Sequence, residues 1–479
     1  GNYLQRLKRF FTDPLSLAIS SLFLIYVVGL IWTQDFAMGF KELKSKVPLV
    51  ILPLTIFTSR LPSKKRLYDI LLVFVVACLV GVLFGMARLF ELSGDELLDK
   101  RKISVFISHI RFGLMLVMAF FILVYFLYAK WKSWSVTEKV LTMASMLWIV
   151  WFLAMLEAFT SFAAFGVALA IALVMLFTRK FPSRLKLAAA GIISVVFVLL
   201  GIWASSIVEN RFHKVPSDYL TQHLRTLSGN FYEHNTSIPY RENGHRVWDY
   251  VCWKELHDQW PNRSDFDFNG LDKKGQEIKY TTIRYMTSKG LKKDSAGVSM
   301  LTKRDIQNIE SGYTNYRYTT KLGIARRFDQ ILWAIEQYTW NENANNSSTI
   351  QRWVYLDVGL GIWKDNLVLG VGTGDVQKAY KDAYQADNRG LEQRFQGISH
   401  NQYLTIGIAL GTVGLIIFFI SIFYPLFLYR RDFLYVVFIT LMLVSFMTDN
   451  TFNRQAGVIL FGFFNSLLIA RREFSETED

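Results

Sequence analysis

The chain has 479 residues and a formal charge of +14, from 53 Lys plus Arg against 39 Asp plus Glu, yet only 19% of it is charged and 52% is hydrophobic. With 39 Phe and 13 Trp it is too aromatic for a disordered chain, and two Cys exclude a disulfide scaffold. A soluble chain sits nearer a quarter charged, so the basic balance points to a membrane rather than to nucleic acid.

A spanning helix needs about 20 mostly apolar residues. In chain order ten stretches are predicted spans: roughly 14–32, 46–59, 67–89, 105–128, 138–156, 159–178, 186–208, 401–429, 433–448 and 455–470. The second is short, and Phe36 to Val47 extends it as an amphipathic lead-in. Arg6, Lys8 and Arg9 precede the first span without a cleavage pattern, so it is not read as a signal peptide. The chain opens on Gly1 rather than Met, which fits a processed or truncated form lacking earlier spans.

Charge in the short loops sets the expected orientation. With the N-terminus in the cytoplasm, the inner connections carry Arg60, Lys64, Lys65 and Arg66, then Lys130, Lys132 and Lys139, then Arg179, Lys180, Arg184 and Lys186, then Arg430 and Arg431. The tail begins with Arg471 and Arg472, and the opposite connections carry fewer basic residues. Both termini are therefore expected inside. The same orientation puts residues 209–399 outside, with 26 Lys plus Arg against 23 Asp plus Glu. That segment is long enough for a folded domain and rich in Trp and Tyr. Arg326–Thr339 and Arg352–Trp363 have helical periodicity, with Asn341–Ser348 as a loop between them.

The fold class is thus an all-α polytopic membrane protein of about ten transmembrane helices with one large, mainly helical periplasmic domain. The expected layout is residues 1–208 as transmembrane helices 1–7, residues 209–399 as the periplasmic loop domain, and residues 400–479 as transmembrane helices 8–10 with a cytoplasmic tail. Span interiors are nearly free of charge; Glu157, His109 and Arg111 lie near outer ends, which weighs against a transporter.

Chemistry concentrates where the spans meet the loop. Residues 350–376 read IQRWVYLDVGLGIWKDNLVLGVGTGDV, and Ser399-His400-Asn401-Gln402-Tyr403-Leu404 stands at the mouth of the eighth span. An Arg opening a helix, a GVGTGD turn and a His-Asn-x-x-Leu at a helix start resemble the O-antigen ligase family, with its related O-antigen polymerases and protein O-oligosaccharyltransferases. The resemblance covers most of the chain. Members commonly have about twelve spans, so ten would fit a full-length form of twelve that has lost its first two.

The resemblance implies a bacterial inner-membrane glycosyltransferase whose active site faces the periplasm. Its donor would be an undecaprenyl diphosphate-linked glycan and its acceptor lipid A–core oligosaccharide, with membrane lipid around it, no cofactor and no metal. Carried over by position, His400 is the catalytic base, and Arg352 and Arg211 bind the donor diphosphate. Asp449 in the last outer turn supports the site, and Arg394 is a reserve for the Arg role. A Ser-Arg pair often found in the family's short outer turn is Ser161-Phe162 here, which leaves an Arg contact missing or moved, with Glu157 as a polar neighbour. Alternatives are an O-antigen polymerase, a protein O-oligosaccharyltransferase and, outside enzymes, a carbohydrate transporter.

The physical case is independent. Arg is always charged and grips phosphate bidentately, so Arg at the interface can neutralise the leaving diphosphate. A His suits removal of the acceptor hydroxyl's proton. Direct displacement predicts inversion at the anomeric carbon. Other features read blandly. Asp265-Phe266-Asp267 is a chance D-x-D, Gly370-Val371-Gly372-Thr373-Gly374 is a close-packing turn rather than a dinucleotide fingerprint, and Trp248–Trp260 is core as readily as a sugar platform. No His pair has clear metal-ligand spacing. No disulfide is expected, since Cys78 lies in a span and Cys252 outside.

Overall fold

The structure is a computed structural model. It describes residues 3–59, 64–91, 103–156, 158–180, 225–238, 240–320, 323–341, 343–345, 347–387 and 390–470, with single positions between 202 and 209. The expected seventh span, 186–208, falls almost entirely outside them.

The chain forms two compact units. The first takes in Gly1–Leu92, Lys100–Gly191 and Ala344–Asp479; the second takes in Ser93–Asp99 and Ile192–Asn343. The first unit begins with α1 (Tyr3–Thr12), α2 (Pro14–Val28), α3 (Phe36–Lys46), α4 (Pro48–Thr58), α5 (Lys64–Glu91), α6 (His109–Lys130), α7 (Val136–Leu156) and α8 (Phe159–Lys180). The expected lead-in at 36–47 is a helix of its own, because Pro48 starts α4 at its first turn, where its missing N–H costs nothing.

Four helices among the described residues are long and apolar enough to cross a membrane: Lys65–Leu89, His109–Lys130, Val136–Leu156 and Gln402–Tyr429. Pro14–Val28, Phe159–Met175, Phe433–Thr448 and Gln455–Ala470 are shorter apolar helices. The burial pattern of α5 has helical spacing. Leu71, Val75, Cys78 and Val82 are buried, while Leu72, Val73, Val76, Val80 and Leu83 are exposed. An exposed apolar face costs nothing against lipid, so association of such helices rests on close packing and interhelical hydrogen bonds.

The second unit holds a β-hairpin, β1 (Arg241–Glu242) and β2 (His245–Arg246), followed by α9 (Trp253–Gln259), α10 (Ile278–Ser288), α11 (Ser295–Ser299), α12 (Lys303–Glu310), α13 (Arg317–Thr320) and α14 (Gly323–Asn341). The hairpin turn is Asn243-Gly244, both at positive φ, the pair that a tight two-residue turn requires. The core is Leu256, Trp260, Ile283, Tyr285, Met286 and Ile309, each at most 1% exposed. Trp260 is therefore core. Trp248 and Trp253 pack partly buried against it, with Tyr280 5.9 Å from Trp248.

The chain returns to the first unit with α15 (Ser348–Asp365), α16 (Val376–Ala386), α17 (Gln402–Tyr429), α18 (Phe433–Thr448) and α19 (Gln455–Ala470). The helical stretches expected at 326–339 and 352–363 lie within α14 and α15. Helix α19 packs along α4, α18 along α8 and α6, and α17 along α2. At Gly462 a Cβ would lie 3.1 Å from the Pro48 carbonyl, so the two backbones approach closely. The Tyr435 hydroxyl donates to Asn465 Oδ1 at 2.8 Å between α18 and α19, a contact worth about 0.6 kcal/mol on average in lipid.

One break in the helices matters for the site. Helix α17 is interrupted at Gly411, whose φ of 64 and ψ of −165 are open to glycine alone. The break frees backbone groups that lipid cannot satisfy. The GVGTGD segment satisfies them: Val371 N–H donates to the Ile408 carbonyl at 2.8 Å and Gly372 N–H to the Ala409 carbonyl at 2.9 Å. Beyond the break, Thr412 N–H donates to the Leu367 carbonyl at 2.7 Å. The same segment grips the first loop, with Asp375 accepting from the Gln34 and Asp35 N–H groups at 2.6 and 2.9 Å. The turn is a brace that packs backbone closely, as its glycines suggest.

Candidate active site

His400 immediately precedes α17. The side chain of Asn401 caps that helix, accepting from Leu404 N–H at 3.0 Å, and its amide donates to the Met447 carbonyl at 3.3 Å. On the other side Ser399 is fully buried, and its N–H donates to the Tyr380 hydroxyl at 3.1 Å. The Ser399 carbonyl accepts from the Asn450 amide, and Asn450 Oδ1 accepts from the Thr405 hydroxyl at 2.8 Å. The backbone on both sides of His400 is thus fixed, while its ring is 42% exposed. A fixed base with an open ring is what a general base needs.

Asp449 follows α18 directly, and its carboxylate is buried. Oδ1 lies 3.8 Å from His400 Nδ1, and Oδ2 accepts from Arg111 Nη2 at 2.9 Å. The first distance is beyond a hydrogen bond but within an ion pair once the imidazole is charged. Burial alone pushes the Asp449 carboxyl up. His400, Arg111 and Arg352 outweigh it and hold the group below the ordinary carboxylate value. Asp449 is therefore an anion at neutral pH, and its proximity favours the proton on Nδ1, leaving Nε2 with its lone pair free.

Arg352 stands exposed in the first turns of α15. Its charge acts on Asp449 and on Tyr355, one turn along the same helix. The Tyr355 ring lies 6.3 Å from the His400 ring, and its hydroxyl donates to the Phe395 carbonyl, fixing the stretch that leads to His400. The Tyr384 hydroxyl does the same at Gly397, at 2.7 Å.

The structure thus brings together His400, Asp449 and the charge of Arg352. Arg394 is not part of that group: it is exposed, pairs with Glu392 at 2.7 Å and lies over the Phe395 ring. Arg211 and Glu157 lie outside the described residues. Among the described residues no three His, Cys, Asp or Glu side chains cluster as metal ligands. Asp267 of the D-x-D accepts from Asn269 N–H at 3.1 Å within its own turn. Cys78 and Cys252 are both free.

Arg111, which the sequence marks only as a charge near the outer end of its span, joins this group through Asp449. It is 8% exposed in α6, and besides Asp449 it donates to the Ser108 hydroxyl at 3.1 Å. An ionisable residue inside an apolar span is a functional candidate by default, and that was the available signal. Arg111 also lies beside the turn where an Arg was expected and Phe162 stands: the Ser161 hydroxyl is 3.3 Å from the Ile110 carbonyl.

Residues 299–419, about a quarter of the chain, match the O-antigen ligase family. Arg352, the GVGTGD brace and His400 all fall within the match. No curated protein matches the chain.

Proposed function

We propose that the protein is an O-antigen ligase that moves a glycan from undecaprenyl diphosphate to a hydroxyl of lipid A–core oligosaccharide at the periplasmic face of the bacterial inner membrane. The observation that carries the reading is His400, exposed on a fixed backbone beside the buried Asp449 carboxylate and within a segment of ligase-family sequence. A family segment together with apolar, membrane-capable helices supports a membrane glycosyltransferase of the ligase or polymerase type; the finer assignment is ours.

In this reading the acceptor hydroxyl lies against His400 Nε2. Its oxygen attacks the anomeric carbon as the bond to the diphosphate breaks, and its proton passes to Nε2. Asp449 holds Nδ1 and stabilises the imidazolium that forms, and such base catalysis contributes about 10²–10⁴-fold. The diphosphate leaves with added negative charge. Arg352, with Arg211 as its expected partner, meets that charge by hydrogen bonds that strengthen in the transition state. Attack opposite the leaving group inverts the anomeric centre.

The test is transfer by purified protein from a lipid-linked glycan, offered lipid A–core and, separately, a peptide. Transfer to lipid A–core supports the reading. Transfer only to peptide, or growth of the glycan on its lipid carrier, would replace it with protein glycosylation or polymerisation.

A further inference from the structure

We infer that Arg111 is a positioning residue that holds the Asp449 carboxylate at its distance from the His400 ring. The inference rests on His400 being the base of the proposed transfer. A buried guanidinium is costly unless it is paired and hydrogen-bonded, yet Arg111 is retained in an otherwise apolar helix at 8% exposure. Its two terminal nitrogens are both used. Nη2 bonds Asp449 Oδ2 at 2.9 Å and lies 3.5 Å from the Asn450 carbonyl, and Nη1 bonds the Ser108 hydroxyl at 3.1 Å. The planar guanidinium is therefore fixed, and it fixes the plane of the carboxylate it holds.

The consequence falls on His400. Asp449 turns Oδ2 to Arg111 and leaves Oδ1 at 3.8 Å from Nδ1, too far for a full hydrogen bond. A carboxylate neutralised by a guanidinium offers less to an imidazolium than a free one would. Removing the Arg111 charge acts twice with the same sign. It takes a cation from the vicinity of His400, and it releases Asp449 to close on Nδ1. Both favour the protonated ring, which cannot act as a base.

Other charged and titratable groups stand around this pair among the described residues. His109 is two positions from Arg111 on α6, Tyr355 lies against the His400 ring from α15, the charge of Arg352 acts on Asp449, and Arg454, just before α19, acts on Arg111. Tyr380 of α16 reaches it through the Ser399 backbone. None of them bridges Asp449 as Arg111 does among the described residues, so replacing Arg111 alone isolates its effect.

The experiment follows the protonation of His400 directly in the full chain in lipid nanodiscs. Diethyl pyrocarbonate attacks only the neutral imidazole, so modification of the His400 peptide, read by mass spectrometry across pH, gives its midpoint. Arg111→Gln is expected to raise that midpoint by about one pH unit. Arg111→Lys, which keeps the charge, is expected to leave it within a few tenths of a unit, and adding Asp449→Asn to Arg111→Gln is expected to abolish the rise. The acid limb of the transfer rate should move with the midpoint, so Arg111→Gln regains rate at higher pH. An unmoved midpoint in Arg111→Gln overturns the inference, whatever happens to the rate. If that variant does not fold, Arg111→Met, which removes the charge but fills the apolar space, takes its place with the same expected rise, and an unmoved midpoint there overturns the inference equally. A parent protein without transfer activity would end the ligase reading, yet the midpoints would still decide whether Arg111 governs His400.

Discussion

His400 Nδ1 lies 3.8 Å from Asp449 Oδ1, and the two residues come from opposite ends of different helices, the start of α17 and the end of α18. The pairing is built mainly by Asn450, whose side chain ties the Ser399 carbonyl to the Thr405 hydroxyl and so locks the two outer turns together. The His400–Asp449 pair is therefore a property of the two helix ends, to which α15 adds the charge of Arg352.

His400→Ala should lower transfer by about 10²–10⁴-fold while leaving the protein folded. The ring is exposed and the flanking bonds are made by Ser399, Asn401 and Asn450, so none is lost with the imidazole. Transfer rate in the lipid-linked glycan assay, beside the elution profile of the variant in detergent, separates the two effects. A variant with unchanged rate would remove the base from the mechanism.

Arg352→Ala should weaken use of the donor by about 10–100-fold, the worth of a charge-assisted hydrogen bond to phosphate. Arg352→Lys should recover only part, because an ammonium cannot make the planar two-point contact. Arg394→Ala is the comparison. Its guanidinium is spent on Glu392 and the Phe395 ring, so little change in donor use is expected. Dependence of the rate on lipid-linked donor concentration measures all three.

The apolar runs at 14–28, 67–89, 109–128 and 402–429 were legible because hydropathy alone writes a helix in lipid. His400, Arg352 and Asp449 stood out because a resemblance fixed their positions, not because spacing did. Arg111 was visible but had no role: near the start of α6, as Lys130 is at its end, a charge reads as a flank of the apolar run until Asp449, 338 positions away, is placed against it. The break at Gly411 was equally invisible. A glycine within an apolar run carries no mark of its φ, and the partner that makes the break tolerable lies some 40 residues earlier in sequence, at Leu367–Gly372. The Asn243-Gly244 hairpin had a local signal, the dipeptide itself, that a helical expectation for the domain overrode.

Divalent cations should not be needed, because Arg charges take their place at the leaving group in the proposed mechanism. The purified protein should keep its transfer rate after EDTA treatment and dialysis. Loss of activity that Mg²⁺ or Mn²⁺ restores would require a metal in the reaction and would overturn that part of the mechanism.

Glu255 predicts how the second unit responds to acid. Its carboxylate accepts from the Thr226 hydroxyl, the Asn230 amide at 2.8 Å, and Ser295 N–H and hydroxyl at 2.9 and 2.7 Å. Burial pushes the group up, but these four donors bring it down to about 2, against an ordinary value of 4.5. A carboxyl depressed in the folded state adds stability above its unfolded value and loses it as pH falls through the folded one. Its contribution, about 1–2 kcal/mol, should be whole above pH 4.5 and vanish toward pH 2. Glu255→Gln should lower the melting temperature at neutral pH and flatten the fall seen in acid, as followed by intrinsic fluorescence.

Gly411→Ala should abolish recovery of folded protein. The conformation at Gly411 is one that side chains scarcely adopt, which costs about 1–3 kcal/mol alone. A Cβ there would also lie 2.1 Å from the Val368 carbonyl, and that is backbone which cannot swing away. Shifting it breaks the exchange between 367–372 and 408–412, leaving buried backbone groups unpaired beside lipid. Together these exceed the 4–5 kcal/mol that marks an exceptional substitution. Gly361→Ala is the matched control. It is an exposed position within α15, where a Cβ meets nothing within 4 Å, so alanine should stabilise the helix by about 0.5–1 kcal/mol. Expression and thermal unfolding of the two variants in detergent should therefore diverge in opposite directions, and a folded, normally stable Gly411→Ala protein would show that α17 does not depend on this break.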